Sequence, residues 1–428
     1  MISVDKASPR PPSGLRVLTL TTLQQAGLTS IRFGLPILAP FWRDALHLSL
    51  GQVGLLMGMF DLGGMLLFIP IGLLTDRWGE RAILTAGALY TAAMTAVVAR
   101  AQTFWSLALL LTAAGFAYGS GQTAGTKAVA AAFGSGGRGT AMGIRQSGLP
   151  LGGVIAALLL PPLVGAFGWR AGIAGAAAVC AIPGVLCWVG LRNETAAGRF
   201  GNDEGAAGGD TTHADTTGAS AGPGSVVSRL GEILRNAGVR RTTEVAMLLV
   251  TAQLCYQGYL ALYLVDRLGW SKPAATALLL AVHLGGVLGR MTWGALSDRR
   301  FGGRRVAALS WCAGLGTLFP LLLIVLARFP QRPAVAIVAL AGGLLLLGWN
   351  GLFSTLVAEN AGPAQGATAM GMSMTALYLA TIVGLPLFGW LVDHTSYALG
   401  WAAIAGITAW AFLITFRIPE PAAPASKP

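Results

Sequence analysis

Runs of about twenty apolar residues recur along this chain, and a helix of about twenty such residues crosses a hydrocarbon core of about 30 Å. They fall near 17–40, 50–74, 82–100, 104–131, 140–165, 171–191, 243–265, 273–296, 305–327, 334–356, 368–392 and 398–417. Charged residues make up only 11% of the 428, where a soluble domain carries about 25%. The expected fold is therefore an all-α membrane protein with twelve spans. The first run contains Gln24, Gln25 and Arg32 and lacks the short apolar core and cleavage site of a secretory signal, so it reads as a retained span.

The net charge of +12 could suggest nucleic acid, but its distribution argues otherwise. With the N-terminus in the cytoplasm, 18 of the 29 Lys and Arg fall on cytoplasmic segments, 7 on external loops and 4 inside spans. That is the positive-inside bias, and both termini are expected in the cytoplasm. No basic stretch is interleaved with the aromatics a single-strand binder needs, so no nucleic-acid partner is expected. Cys180, Cys187, Cys255 and Cys312 all lie within spans without metal-site spacing, and neither a metal nor a cofactor is expected. Abundant Arg, Gly and Ala suggest a bacterial inner membrane. Nothing in the pattern requires a protein partner, so a monomer is expected.

Residues 193–225 are rich in Gly, Ala, Thr and Asp and read as a disordered loop. Val226, Val227, Leu230, Ile233 and Leu234 then recur at helical spacing opposite Arg229, Glu232 and Arg235, the pattern of a short helix lying on the membrane surface. The expected organisation is a six-helix bundle over 1–192, a cytoplasmic loop with its surface helix over 193–241, and a second bundle with a short tail over 242–428.

The two bundles repeat one another. Asp61-Leu-Gly-Gly64 returns as His283-Leu-Gly-Gly286, and Gly72-Leu-Leu-Thr-Asp76-Arg77 returns as Gly294-Ala-Leu-Ser-Asp298-Arg299, both displaced by 222 positions. Thr140-Ala-Met-Gly143 returns as Thr368-Ala-Met-Gly371, displaced by 228, and Gly168-Trp169 as Gly400-Trp401, displaced by 232. A slowly drifting displacement is the mark of a duplicated unit with altered loop lengths.

The stretch Gly72-Leu-Leu-Thr-Asp76-Arg77-Trp-Gly79-Glu-Arg81 closely resembles the G-x-L-x-D-R-x-G-R loop motif of the major facilitator superfamily, and Gly294 to Gly302 is similar to its second copy. The resemblance implies two pseudo-symmetric six-helix bundles that rock about a midplane site, with these loops latching the outward-facing state. Read physically, Gly72 and Gly79 permit a close helix approach and a tight turn. Asp76 can pair with a nearby Arg or cap a helix, and Arg77 and Arg81 sit where cytoplasmic cations belong.

A charge at mid-membrane costs roughly 2.5–3.5 kcal/mol on insertion scales. Asp61 is the carboxylate lying deep in a span, His283 is the deep histidine, and the 222-residue displacement makes them equivalent positions; Glu244 and Glu359 sit at span ends. Both are candidates for coupling transport to protons. The alternative is that Asp61 merely neutralises Arg32 while His283 is a packing residue. The deep cations are Arg32, Lys127, Arg145 and Arg290, which against Asp61 leaves an interior about three charges positive. If they converge on one aqueous cavity, an incoming anion relieves their cost, and the guanidinium fork suits carboxylate or phosphate. A small organic anion is the expected substrate, with snorkelling or gating as the other reading of these cations. Arg290 also resembles the eighth-span arginine of monocarboxylate and oxalate–formate carriers.

Helix spacing adds further candidates: Gln253, Gln257, Tyr256 and Tyr259 on span seven, Tyr118, Gln122 and Thr126 on span four, and Trp349 with Asn350 on span ten. Such groups can equally glue helices together. A proton-driven drug exporter of the same fold is the main rival. Its usual span-four R-x-x-x-G is absent, since this region reads Gly115-Phe-Ala-Tyr118-Gly-Ser-Gly-Gln122. A transport-dead sensor would need a long signalling domain, and no enzyme motif or paired deep carboxylates are present.

Overall fold

A computed structural model describes residues 14–133, 138–191, 231–328 and 331–419. Every regular element among them is helical. Twelve helices follow in order: α1 (Gly14–Leu46), α2 (Leu50–Trp78), α3 (Glu80–Val98), α4 (Phe104–Ala132), α5 (Ala141–Phe167), α6 (Trp169–Gly190), α7 (Ala237–Leu268), α8 (Lys272–Arg299), α9 (Arg305–Leu326), α10 (Arg332–Gly362), α11 (Thr368–His394) and α12 (Tyr397–Thr415). All but α1 are apolar and long enough to cross a membrane. α1 has the length, with Gln24, Gln25 and Arg32 diluting its apolar run, and it is buried along most of its course.

Local chemistry fixes several boundaries. Ser49 and Gln52 form a capping box that starts α2, each satisfying an otherwise orphaned backbone N–H. Gly79, with φ 80°, ends α2 and starts α3, a turn that glycine makes without steric cost. α7 begins at Ala237 rather than near 243, because the Asn236 side chain accepts from the Val239 N–H at 3.1 Å and so sets the N-terminus earlier. Of the expected surface helix, Ser225–Leu230 lies outside the described residues. Residues 231–235 are helical. Leu234 is exposed, but Ile233 is buried in the protein core, and Glu232 accepts from Gln365 at 2.9 Å. This end of the segment docks on the α10–α11 connection instead of presenting one apolar face to lipid.

The duplication is written into the packing. A Cβ on Gly63 would fall 2.0 Å from the Thr112 carbonyl oxygen, and one on Gly115 would fall 2.0 Å from that of Phe60, so α2 and α4 touch backbone to backbone. In the second half, Gly285 stands in the same way 2.0 Å from the Leu340 oxygen and Gly343 2.1 Å from the Val282 oxygen, joining α8 to α10. The displacements are 222 for residues of α2 and 228 for residues of α4, those of the sequence repeats. Small residues at such crossings let dispersion and Cα–H···O contacts replace the hydrophobic drive that lipid removes.

Between the halves, α2 packs on α11, α5 on α8 and α1 on α7. At the end away from the loop motifs, here the far end, Arg43 pairs with Asp266 and Lys272 with Asp44. There the Asp393 carboxylate accepts from the Leu50 and Gly51 N–H groups at 3.0 and 2.8 Å, capping α2 from the opposite half. Tyr259 donates to the Leu50 and Leu385 oxygens at 3.0 and 2.7 Å. Every hydrogen bond and ion pair found between the halves among the described residues belongs to this far end.

The motif end is held differently. Asp76 pairs with Lys127 at 2.7 Å, and Lys127 lies 3.5 Å from Glu80. Arg81 donates to the Trp188 carbonyl at 2.9 Å and covers its indole ring. Asp298 pairs with Arg305, which reaches Glu359 at 3.9 Å. Each of these contacts stays within one half. The expected close approach at Gly72 is not found: a Cβ there, or on Gly294, would meet nothing within 4 Å. Arg77 and Arg299 are exposed beside them.

Candidate functional site

Arg32 lies in the buried part of α1, and Asp61 lies near the middle of α2, 3% exposed. They meet fork to fork: Arg32 Nε donates to Asp61 Oδ1 at 2.6 Å and Nη2 to Oδ2 at 2.8 Å. Two parallel charge-assisted bonds of this kind are the strongest pairing an arginine makes. The guanidinium also faces the Tyr118 ring at 5.9 Å and the Phe33 ring at 5.6 Å. Tyr118 is in turn set edge-on to Phe60, centroids 5.4 Å apart.

The second half closes the cluster from α8 and α11. His283 and Arg290 are seven residues apart, so they share one face of α8, separated by about 10 Å along it. His283, 2% exposed, fits where Gly153 of α5 leaves room, its Nδ1 only 2.4 Å from where a Cβ would stand, and its ring tilts against Phe33 at 5.1 Å. Arg290 lies within electrostatic range of both Tyr118 and His283. Tyr378 of α11 lies within the same range of Arg32, Asp61 and Tyr118. The repeat-related pair Asp61 and His283 is linked through α1, where Asp61 binds Arg32 and His283 lies against the neighbouring Phe33. Tyr378 and Phe33 were not singled out from sequence; the available signal for Tyr378 was that it is one of only seven tyrosines and sits inside a span.

The deep cations do not all converge. Lys127 is drawn to Asp76 and Glu80 at the motif end: it lies five residues from the end of α4, and its stem covers the remaining rise of about 7.5 Å. With Arg32 neutralised by Asp61 and Lys127 paired at the motif end, the uncompensated interior charges among the described residues are two rather than three. Arg290 is one, with Nε buried and without a hydrogen-bond partner. Arg145 is the other, 1% exposed inside the first half. Its Nη2 has four acceptors in reach, namely the Gly121 and Gln122 carbonyls, Gln122 Oε1 and Thr126 Oγ1, at 2.8, 3.1, 3.4 and 2.8 Å. Its Nε and Nη1 have none. Gly121 and Gly125 make this possible, since a Cβ on Gly125 would stand 3.2 Å from Arg145 Nε and one on Gly121 2.7 Å from Gln25 Oε1. Gln25, unpaired at both amide atoms, and Gln24 Oε1 share that face. Of its partners, Thr126 is exposed and Gln122 is half-buried.

The remaining candidates separate into two groups. Gln253 donates toward Gln257 at 3.5 Å and accepts from Asn350 at 3.2 Å, a polar ladder linking α7 to α10, with Gln257 Nε2 left unpaired. Tyr256 is turned into the second half, donating to the Ala339 oxygen at 3.2 Å with its ring edge-on to Trp401. Trp349 is wholly buried and donates to the Leu346 oxygen at 3.1 Å. These two are packing residues. Among the described residues no group of His, Cys, Asp and Glu could hold a metal ion.

A charged cluster shared by two repeated six-helix halves is the geometry of a carrier, and sequence comparison decides the family. The profile of the Major Facilitator Superfamily matches residues 23–376 and 245–428. The chain belongs to this superfamily. Over 398 residues, 92% of the transporter and 83% of the relative, it is 29% identical to an uncharacterized MFS-type transporter of Mycobacterium tuberculosis. A shorter match, 139 residues forming 32% of the chain and 33% of the relative, is 31% identical to a hexuronate transporter of Bacillus subtilis.

Solved structures give the same fold. A bacterial homolog of the human lysosomal transporter Spinster, inward-facing and unoccupied, superposes with a TM-score of 0.71 at 16% identity, covering 96% of this chain and 98% of that one. A point mutant of the nucleoside transporter NupG superposes with a TM-score of 0.72 at 15% identity, covering 95% and 99%. The protein is therefore a multi-pass membrane transporter of the superfamily, whose members carry small molecules.

Proposed function

We propose that the transporter moves a small organic anion by alternating access, coupled to protons through Asp61. The observation that carries this reading is Arg290, which lacks any carboxylate partner among the described residues, keeps a buried N–H unpaired and lies within electrostatic range of Tyr118 and His283. A buried cation without a counter-charge is costly, and an anion with two acceptor oxygens is the ligand that relieves it. The match to a hexuronate transporter, whose substrate is a sugar acid, supports the same class.

The Arg32–Asp61 pair supplies a route to coupling. While Asp61 is ionised, its two oxygens occupy the Arg32 fork. A proton on Asp61 removes that competitor, and Arg32 becomes available to a substrate carboxylate. Proton and anion then each favour binding of the other, by an equal free energy in both directions. The halves rock about the site while it is loaded. The positive-inside bias supports a cytoplasmic motif end, the far-end contacts then support an inward-facing carrier, and the polar residues Gln122, Thr126, Gln253, Gln257 and Asn350 serve the substrate's path.

The deciding experiment is thermal unfolding of the purified transporter with small carboxylates, sugar acids, phosphate esters and lipophilic cations. At a hundredfold excess over its dissociation constant, a ligand of the folded state stabilises it by about 2.7 kcal/mol. Anions should raise the melting temperature, and Arg290→Ala should remove the shift. Arg145→Met should raise the unliganded melting temperature, since an unpaired buried charge is replaced by an apolar side chain. Stabilisation by lipophilic cations alone would overturn the reading in favour of drug export.

A further inference from the structure

A groove lies on the flank of the second half, between helices that take no part in the central cluster. Its volume is about 780 Å³, and it runs between α9 and α12, lined among others by Val306, Trp311, Leu318, Phe412 and Phe416. Neither helix packs against the first half, so the groove opens sideways and has no part in the site between the halves. Its depth comes from small residues, Ala307, Gly314 and Ala409, set between large flanking ones. Trp311 and Phe416 stand 56% and 69% exposed on its rims. Its polar floor atoms are already paired, Ser310 donating to the Thr415 hydroxyl at 2.6 Å, so the walls offer an occupant little besides apolar contact.

The two ends of the groove differ. Arg304 lines its motif-end mouth, and the exposed Arg417 follows between the lining residues Phe416 and Ile418. From Arg304 to Leu318 is fourteen residues, about 21 Å along a helix. One leaflet of a bilayer contributes about 15 Å of hydrocarbon, and its headgroup layer adds several more. The groove is thus as long as one leaflet is deep, apolar along its length, and cationic only where headgroups lie.

We propose that this groove binds an anionic phospholipid of the motif-end leaflet, its acyl chain lying between α9 and α12 and its phosphate on Arg304 and Arg417. A transport substrate would have to enter from the membrane and would find no path to Arg290. A soluble anion would engage the arginines without filling the apolar length. A phospholipid satisfies both ends at once, and basic residues at a membrane surface contribute about 1 kcal/mol each toward anionic lipid.

Native mass spectrometry of the delipidated full-length transporter tests this, with phosphatidylglycerol and phosphatidylcholine offered at equal concentration. One phosphatidylglycerol should be retained in preference to phosphatidylcholine. The exposed-site variant Arg304→Gln/Arg417→Gln should lower phosphatidylglycerol affinity about 25-fold, about fivefold per arginine, with phosphatidylcholine little changed. Ala409→Phe, which fills the groove, should remove the bound lipid altogether. Equal retention of the two lipids by the wild-type chain would overturn the proposal, as would unchanged phosphatidylglycerol binding in the double arginine variant. A wild-type dimer that Ala409→Phe converts to monomer would make the groove an interface between copies and also overturn it.

Discussion

The far end and the motif end of this transporter differ in which parts of the molecule their polar contacts join. At the far end the contacts cross between halves, and beside the ion pairs Arg43–Asp266 and Lys272–Asp44 they engage backbone: Asp393 caps α2, Tyr259 bonds the Leu50 and Leu385 carbonyls, and Gly54 and Gly389 let α2 and α11 touch. At the motif end long cations bind carboxylates inside their own half, Lys127 with Asp76 and Arg305 with Asp298. Backbone contacts form at only one separation and so act as an on–off closure, whereas long side chains keep their partner over a range of positions. On the proposed alternating cycle, the far end would report the state of the carrier, and the motif charges would hold each half together while it moves.

The strongest way to break this comparison is at Gly54. A Cβ there would stand 2.1 Å from the Tyr259 hydroxyl and 2.4 Å from the Leu385 carbonyl oxygen, a backbone atom that cannot swing aside. Gly54→Leu should prevent closure at the far end at a cost of about 3 kcal/mol or more, roughly a hundredfold in the closing equilibrium. The α2–α4 contacts at Gly63 and Gly115 lie on other residues, so the first half should keep its fold. A cysteine placed at Leu48 should become fully reactive to a membrane-impermeant maleimide, and transport should fail. A variant that transports at the wild-type rate would show that α2 and α11 need not touch.

Asp393→Asn is a milder cut at the same place. It keeps an acceptor near Leu50 and Gly51 but removes the charge that favours a helix N-terminus, so the closed population should fall by about 0.3–2 kcal/mol, roughly two- to thirtyfold. Asp393→Ala should be worse than Asn, because both N–H groups lose their cap. Maleimide labelling at the far end should rank the variants in that order. Equal labelling of wild type and Asp393→Ala would mean the cap contributes nothing to closure.

At the central site the expected loss is chemical rather than mechanical. Asp61→Asn keeps an acceptor for Arg32 and removes the titrating group, so substrate should still equilibrate across the membrane without accumulating against its gradient. Uptake into vesicles with and without an imposed pH difference checks this. Accumulation that still follows the pH difference would move the coupling to another group, with His283, the repeat partner of Asp61, next to be replaced.

Much of the architecture could be read from apolar run lengths and the internal repeat, because a membrane leaves the chain few ways to satisfy its backbone. The pairing of Asp61 with Arg32 was legible too, as one of two stated readings, since both stand alone at similar depth. What sequence did not show is direction around a helix axis. Span position alone grouped Arg145 and Lys127 with Arg290 as deep cations, but Arg145 points between α1, α4 and α5 while Lys127 reaches back to the motif loop. Tyr256 and Tyr378 make the same point in reverse: the one expected at the cavity faces the core, and the one passed over faces Arg32. The difference depends on which neighbouring helix carries the accommodating glycine, Gly342 for Tyr256, and that is a property of packing between distant segments.

The smallest expected effect is at Lys127, and it sharpens the contrast between the two ends. Its pairing with Asp76 is partly solvated, the lysine side chain being 36% and the carboxylate 70% exposed, and such pairs contribute about 0.2–1 kcal/mol. Lys127→Met keeps the apolar stem and removes the charge. Thermal stability should fall by no more than that amount, and less at high salt. Far-end labelling should stay at the wild-type level, because the lysine touches only its own half. If Lys127→Met instead exposes the far end as Gly54→Leu does, the motif charges bias the equilibrium between states, and the two ends are coupled through the rigid body of α2, which carries Asp76 at one terminus and the Asp393 contact at the other.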